Sequence, residues 1–193
     1  MKDQCYAAAN GRAWCVVAPV APPRLWHMIT RAAGLSFGAT LGDARNGEAD
    51  LQRAIGAAAQ AISRVQSVLV EPHLALDAQL AAFVHLGDVA LITVCSGMRV
   101  YRARGSEPTR LLANAHRAPG IARGGLAVAT ERIVHNDLYV LGSRDAFGMR
   151  SIGALASLLA RRPDASVTEV SEAALRPCRD AGIGASLVVL RAR

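Results

Sequence analysis

The side chains with the most chemistry in them are four cysteines, Cys5, Cys15, Cys95 and Cys178, isolated histidines such as His116 and His135, and a thin scatter of aspartates. Thiols can ligate zinc or exchange disulfides, but no Cys-x-x-Cys pair occurs here. If Asn10-Gly11 forms a two-residue hairpin turn, Tyr6 stands opposite Cys15 and Cys5 opposite Val16. Opposed residues share a face, so Cys5 and Cys15 point to opposite faces and are badly placed to bridge. All four cysteines sit among apolar neighbours and read as reduced thiols of a cytosolic protein. His116 and His135 fall on loop or strand edges and read as solvated side chains. Asp88, inside Gly87-Asp88, reads as a turn residue. The chain has no phosphate loop, no His-Glu-x-x-His and no Gly-x-Ser-x-Gly, so no independent motif announces another enzyme class.

Bulk properties narrow the choice of chemistry. At 193 residues the expectation is one domain spanning 1–193. Hydrophobic residues make up 52% and charged residues 19%, which excludes a disordered chain. No apolar run reaches the ~20 residues of a membrane span, and the first residues lack a signal-peptide layout. These features predict a soluble, cytoplasmic protein. The net charge is +7, and Lys2 is the only lysine. The arginines are scattered rather than clustered and aromatics are only 4%, a poor basis for stacking on bases. Nucleic acid is therefore not the expected partner.

The elements that must position these residues follow from pattern. Asn10-Gly11, Gly87-Asp88 and Gly97 each sit between apolar runs and predict hairpins. Strands are expected over 4–9, 12–18, 76–86, 89–95, 98–104, 126–133, 137–141 and the last Val-rich stretch. The first hairpin is apolar on both faces, so its sheet must be covered on both sides. A short helix is expected over 24–33, ended by Gly34, with a glycine-rich loop over 35–47. Leu51, Ile55, Ala58, Ile62, Val65 and Leu69 recur at steps of three or four and predict a long helix over 49–69. Residues 113–125 read as a loop and 151–161 as a helix. Ser166-Val167-Thr168-Glu169 is a capping box opening the last helix, which Pro177 should kink or end.

The order of these pieces resembles the metal-dependent (PPM, or type 2C) serine/threonine protein phosphatases. Lys2-Asp3 stands where that family has an acidic pair before its first hairpin. Val17-Ala18-Pro19 stands at its Val-Ala-Asp-Gly loop. Ser96-Gly97-Met98-Arg99-Val100-Tyr101, with Gly105 and Arg110-Leu111 behind, matches its central Gly-Asp-Ser-Arg-Ala-Tyr hairpin without the Asp. Leu138–Phe147 resembles its Leu-Leu-Leu-Cys-Ser-Asp-Gly-Leu-Trp stretch, and Gly182–Leu190 its Asp-Asn-Ile-Thr-Val-Val ending.

The resemblance implies an α+β fold, a four-layer α-β-β-α sandwich of two antiparallel sheets flanked by helices. It also implies a chemistry in which two Mg²⁺ or Mn²⁺ ions held by carboxylates activate a water against a phosphate ester. Here Pro19, Arg144 and Ile183 fall at three of the ligand positions, and none of them can ligate. The expectation is therefore a pseudophosphatase with no catalytic residue, no metal ligand and no cofactor, which acts in regulation by binding a protein partner, a kinase or a phosphoprotein. Homo-oligomerisation is a further possible use of the fold. The alternative is a diverged phosphatase with shifted ligands at Asp3, Asp145 and Asp137, taking Mn²⁺ or Mg²⁺.

Overall fold

Alternation in β2 explains the whole architecture. The computed structural model describes residues 2–41, 47–69, 75–95, 97–113, 120–122 and 126–193. Strand β1 (Gln4–Ala7) turns at Asn10-Gly11 into β2 (Ala13–Val20). The register is the expected one, Cys5 opposite Val16 and Tyr6 opposite Cys15. Cys15 and Val17 point to a helical layer, whereas Val16 and Ala18 point to a second sheet. A period of two thus serves two apolar interfaces at once.

The helical layer is α1 (Trp26–Leu41) and α2 (Gly47–Val68), entered through a 3-10 turn at Pro23–Leu25. Ile29, Phe37, Leu51 and Ile62 pack from these helices onto the first sheet. That sheet has the order β1-β2-β3-β4-β7, with β3 at Asp77–Leu86, β4 at Val89–Val94 and β7 at Ala127–Arg132. The second sheet has the order β6-β5-β8-β9. Its strands are β5 (Met98–Arg104), β6 (Glu107–Leu111), β8 (Leu138–Ser143) and β9 (Leu187–Arg191). Every strand pairing in both sheets is antiparallel. Between the sheets lie Phe83, Ile92, Met98, Val100, Tyr139 and Leu141. On the far side, α3 (Met149–Arg161) and α4 (Val167–Asp180) bury Leu155, Leu159 and Val170 against Tyr101, Leu138 and Val140. The result is the expected four-layer α-β-β-α sandwich. No helix among the described residues is long and apolar enough to cross a membrane.

Two local expectations need correcting, and one strand was not among those expected. First, α1 does not end at Gly34 but runs to Leu41, and only 42–46 of the expected loop lie outside the described residues. A Cβ on Gly34 would stand 2.2 Å from the Tyr6 ring, and one on Gly38 would meet Ala7 O at 3.4 Å. These glycines let β1 press onto the helix, and that packing offsets their helix cost of about 1 kcal/mol each. Second, Pro177 lies inside α4, which continues to Asp180. Its missing N–H withholds one hydrogen bond from the carbonyl of Ala173, and the helix continues for three residues beyond it. The unexpected strand is Glu107–Leu111. It carries Pro108 because it is an edge strand, where a missing ladder donor is tolerated. The Ser166–Glu169 capping box forms as expected: the Ser166 hydroxyl accepts from Glu169 N at 3.2 Å, and Glu169 Oε2 accepts from Ser166 N at 2.8 Å. Ser96 and His116 lie outside the described residues, as does most of the 113–125 loop.

Candidate functional site

At one end of the sandwich the chain before β1, the β4–β5 connection and the segment after β8 converge on a cleft of about 640 Å³. Gly97 closes the β4–β5 connection with φ +82°, and a Cβ there would stand 2.3 Å from the Gln79 side chain. Its carbonyl accepts from Arg144 N at 2.6 Å, which ties the end of β8 to the start of β5. Ser186 Oγ donates to Asp3 O at 3.0 Å and fixes the opening segment beside β9. Cys178 Sγ donates to Asp145 O at 3.2 Å and holds the post-β8 turn against α4.

Six charged side chains line this cleft: Lys2, Asp3, Arg99, Arg110, Arg144 and Asp145. Asp3 is only 1% exposed, and among the described residues neither of its oxygens has a hydrogen-bond partner of good geometry. Burial raises its carboxyl above the ordinary value of 3.8 and Asp145 adds to the rise, while the neighbouring Ser143 hydroxyl and Lys2 oppose it. Ser143 is itself buried with its hydroxyl unpartnered. Asp145 is half exposed and lies 3.8 Å from Lys2 Nζ, a loose pair in solvent. Arg99 donates to Phe147 O at 2.6 Å. Among the described residues, neither Arg110 nor Arg144 forms an ion pair or side-chain hydrogen bond.

The structure brings Asp3 and Asp145 to one place, with Arg144 between the strand end and Asp145. It puts Asp137 elsewhere. Asp137 precedes β8 and Ser143 closes it, so six residues, roughly 20 Å of strand, separate the two ends. Asp137 is 1% exposed and accepts from Arg104 Nε at 2.9 Å, Arg104 Nη2 at 2.7 Å and Val134 N at 3.0 Å. Burial would raise its carboxyl, but these bonds together with the charges of Arg104 and Arg102 outweigh it and hold the group below 3.8. Asp137 is thus a structural ion-pair partner and does not join Asp3 and Asp145. Pro19 is a strand residue of β2 opposite Ala78, and Ile183 is 46% exposed on the turn before β9. Among the described residues, no three His, Cys, Asp or Glu side chains group so as to hold a metal ion.

The four cysteines are free thiols, of which only Cys5 is exposed. Burial pushes Cys5 up to about 11 and Cys95 to about 12, so neither is poised as a thiolate. Asp88 occupies the β3–β4 turn and His135 the turn before β8. Arg99 and Arg110 were legible in sequence only as parts of a hairpin. Their meeting with Arg144 is set by the β6-β5-β8 strand order, which no local pattern carries.

No protein-family model and no curated protein matches the sequence. Solved structures do match the fold. The PPM Ser-Thr phosphatase MsPP from Mycobacterium smegmatis, crystallised with cacodylate, superposes with a TM-score of 0.76 at 18% identity, covering 99% of this chain and 91% of that one. PppA, a key regulatory component of T6SS in Pseudomonas aeruginosa, gives 0.76 at 17% identity over 98% and 90%. The catalytic domain of the serine threonine protein phosphatase PstP, with two manganese ions, gives 0.71 at 20% identity over 99% and 90%. The chain has the fold of the PPM-type serine/threonine phosphatases. At these identities the likeness extends to the fold and leaves the chemistry to be argued from the cleft.

Proposed function

We propose that this protein is a pseudophosphatase: a PPM-like fold without phosphoester hydrolysis, acting in regulation by binding a kinase or phosphoprotein through its basic cleft. The observation that carries this reading is the charge balance of the cleft. Four cationic side chains meet two carboxylates, and one of those carboxylates is buried with its charged form disfavoured. A pair of Mg²⁺ or Mn²⁺ ions requires a set of oxygen ligands, several of them anionic. The donor set here does not fit such a pair, and no hydrolytic step is derived through one. Unpaired guanidinium groups at Arg110 and Arg144 suit a phosphate or carboxylate, which they can engage with forked hydrogen bonds. The regulatory role of the PppA neighbour is consistent with this use of the fold.

The test is calorimetry with Mn²⁺ on metal-stripped protein, an ester-hydrolysis assay with p-nitrophenyl phosphate on the same sample, and titration with a phosphoserine peptide. The expected result is no saturable Mn²⁺ binding, no turnover, and peptide binding that weakens in Arg144→Ala. Saturable Mn²⁺ binding with turnover that Asp145→Ala abolishes would overturn the proposal in favour of a diverged metal-dependent phosphatase.

A further inference from the structure

A second cavity, of about 540 Å³, opens at the opposite end of the sandwich, beyond the Asp137 end of β8. The chain has only two Trp, three Tyr and three Phe. Three of these eight, Trp14, Phe83 and Tyr139, line this one cavity. Their rings form a continuous run across β2, β3 and β8, with centroids 6.1 Å apart between Trp14 and Phe83 and 4.8 Å between Phe83 and Tyr139; Trp14 is half-buried at the cavity, and Phe83 and Tyr139 are buried behind it and fix its place. Ile133 and Leu190 complete the apolar wall. A concave site of this size with aromatic walls and a few polar groups at its mouth has the build of a small-molecule pocket.

The polar groups at the mouth are mainly cationic or basic. Arg191, Arg193, His85 and His135 line it against the single side-chain carboxylate of Asp88. Arg191 donates to three backbone carbonyls, Ala165 O at 2.6 Å, Pro163 O at 3.3 Å and Asn136 O at 3.5 Å. Among the described residues no carboxylate pairs with it, and its Nε is buried without a partner. Its position is therefore fixed by neutral acceptors while its charge stays uncompensated. A guanidinium held in this way in a cavity walled by the indole of Trp14 and by aliphatic side chains favours an anion attached to a flat apolar body.

The geometry points to a binding site for a small aromatic carboxylate, its ring system against Trp14, Ile133 and Leu190 and its carboxylate toward Arg191. This site is independent of the cleft, which lies at the other end of β8.

Calorimetry with 2-naphthoate tests it, with 2-naphthalenemethanol as the neutral analogue. Val167 is 41% exposed at the mouth, at the first position of α4, where an acidic residue is compatible with the helix. Val167→Glu therefore places a negative charge at the entrance without threatening the fold. The expected result is saturable one-site binding of 2-naphthoate, about tenfold weaker binding of the alcohol and a similar loss in Val167→Glu, with Arg144→Ala unchanged. Equal affinity for acid and alcohol would overturn the proposal. So would the absence of binding, or binding that survives Val167→Glu and disappears in Arg144→Ala.

Discussion

Asp3→Asn should make the protein more stable at neutral pH. The side chain is 1% exposed and neither oxygen has a well-formed partner among the described residues. An unsatisfied buried polar group costs about 1–3 kcal/mol, and more when charged. Asparagine keeps the shape and removes the charge, so a gain of about 1–2 kcal/mol is expected, equivalent to a Tm rise of about 2–8 °C for a chain of this size. The pH dependence fixes the cause. The folded-state carboxyl is raised above 3.8, first by burial and then by Asp145. The folded protein therefore binds the proton more tightly than the unfolded chain. Its contribution to stability is fully present below 3.8 and is lost as pH rises through the folded value. Wild type and Asp3→Asn should converge under acid conditions and separate toward neutrality, in thermal melts of metal-stripped protein across that range. A lower Tm for Asp3→Asn at pH 7 in metal-free buffer would refute the reasoning, because it would mean that the carboxylate has a partner worth keeping. If Mn²⁺ raised the Tm of wild type and not of the variant, that partner would be a metal ion and the enzyme reading would take over.

Two further substitutions probe the frame. Gly34→Ala should destabilise by about 1–3 kcal/mol, since its Cβ would fall 2.2 Å from the Tyr6 ring; chemical denaturation reads this as a lower midpoint at unchanged slope, and no loss would mean that β1 does not press on α1. Asp137→Ala should cost about 2–3 kcal/mol at neutral pH. Because the Asp137 carboxyl is held below 3.8, its contribution is present above that value and lost as pH falls through the folded one, so the gap between variant and wild type should close in acid as it does for Asp3→Asn, but here the variant is the less stable protein at neutral pH.

The parts of the fold that were legible in sequence are those set by neighbours in the chain. Asn10-Gly11 fixed the register that put Cys15 and Cys5 on opposite faces, and the 3.6-residue spacing of Leu51, Ile55 and Ile62 placed α2. The full length of α1 was not legible, because Gly34 and Gly38 read locally as breakers and are needed only for contact with a strand that far precedes them. β6 was hidden by Pro108, which a central strand could not hold but an edge strand can. In the cleft, Asp3, Arg144 and Asp145 were identifiable in advance as residues at matching positions. Asp137 was misplaced with them for a geometric reason: eight residues along the chain look close to Asp145, yet a strand in between makes them opposite ends of the sheet. The aromatic cavity had no sequence signal at all, since Trp14, Phe83 and Tyr139 come from three strands in two sheets.

This division explains how the sandwich can persist while its cleft changes character. Three apolar interfaces hold the layers together, and each is specified by alternation along strands or by one face of a helix, not by particular residues. Any sequence that keeps those periods keeps the layers, which is why the fold is shared at identities of 20% or less. The cleft lies where the strands end, so its charged side chains contribute little to those interfaces. A set of converging carboxylates repel one another unless cations hold them together. An arginine in place of one of them, the position that the proposed reading gives Arg144, relieves that repulsion without touching the core. On the proposed reading, the physical cost of losing such a metal site falls on catalysis alone, and the fold stays available for recognition through the arginines of the cleft.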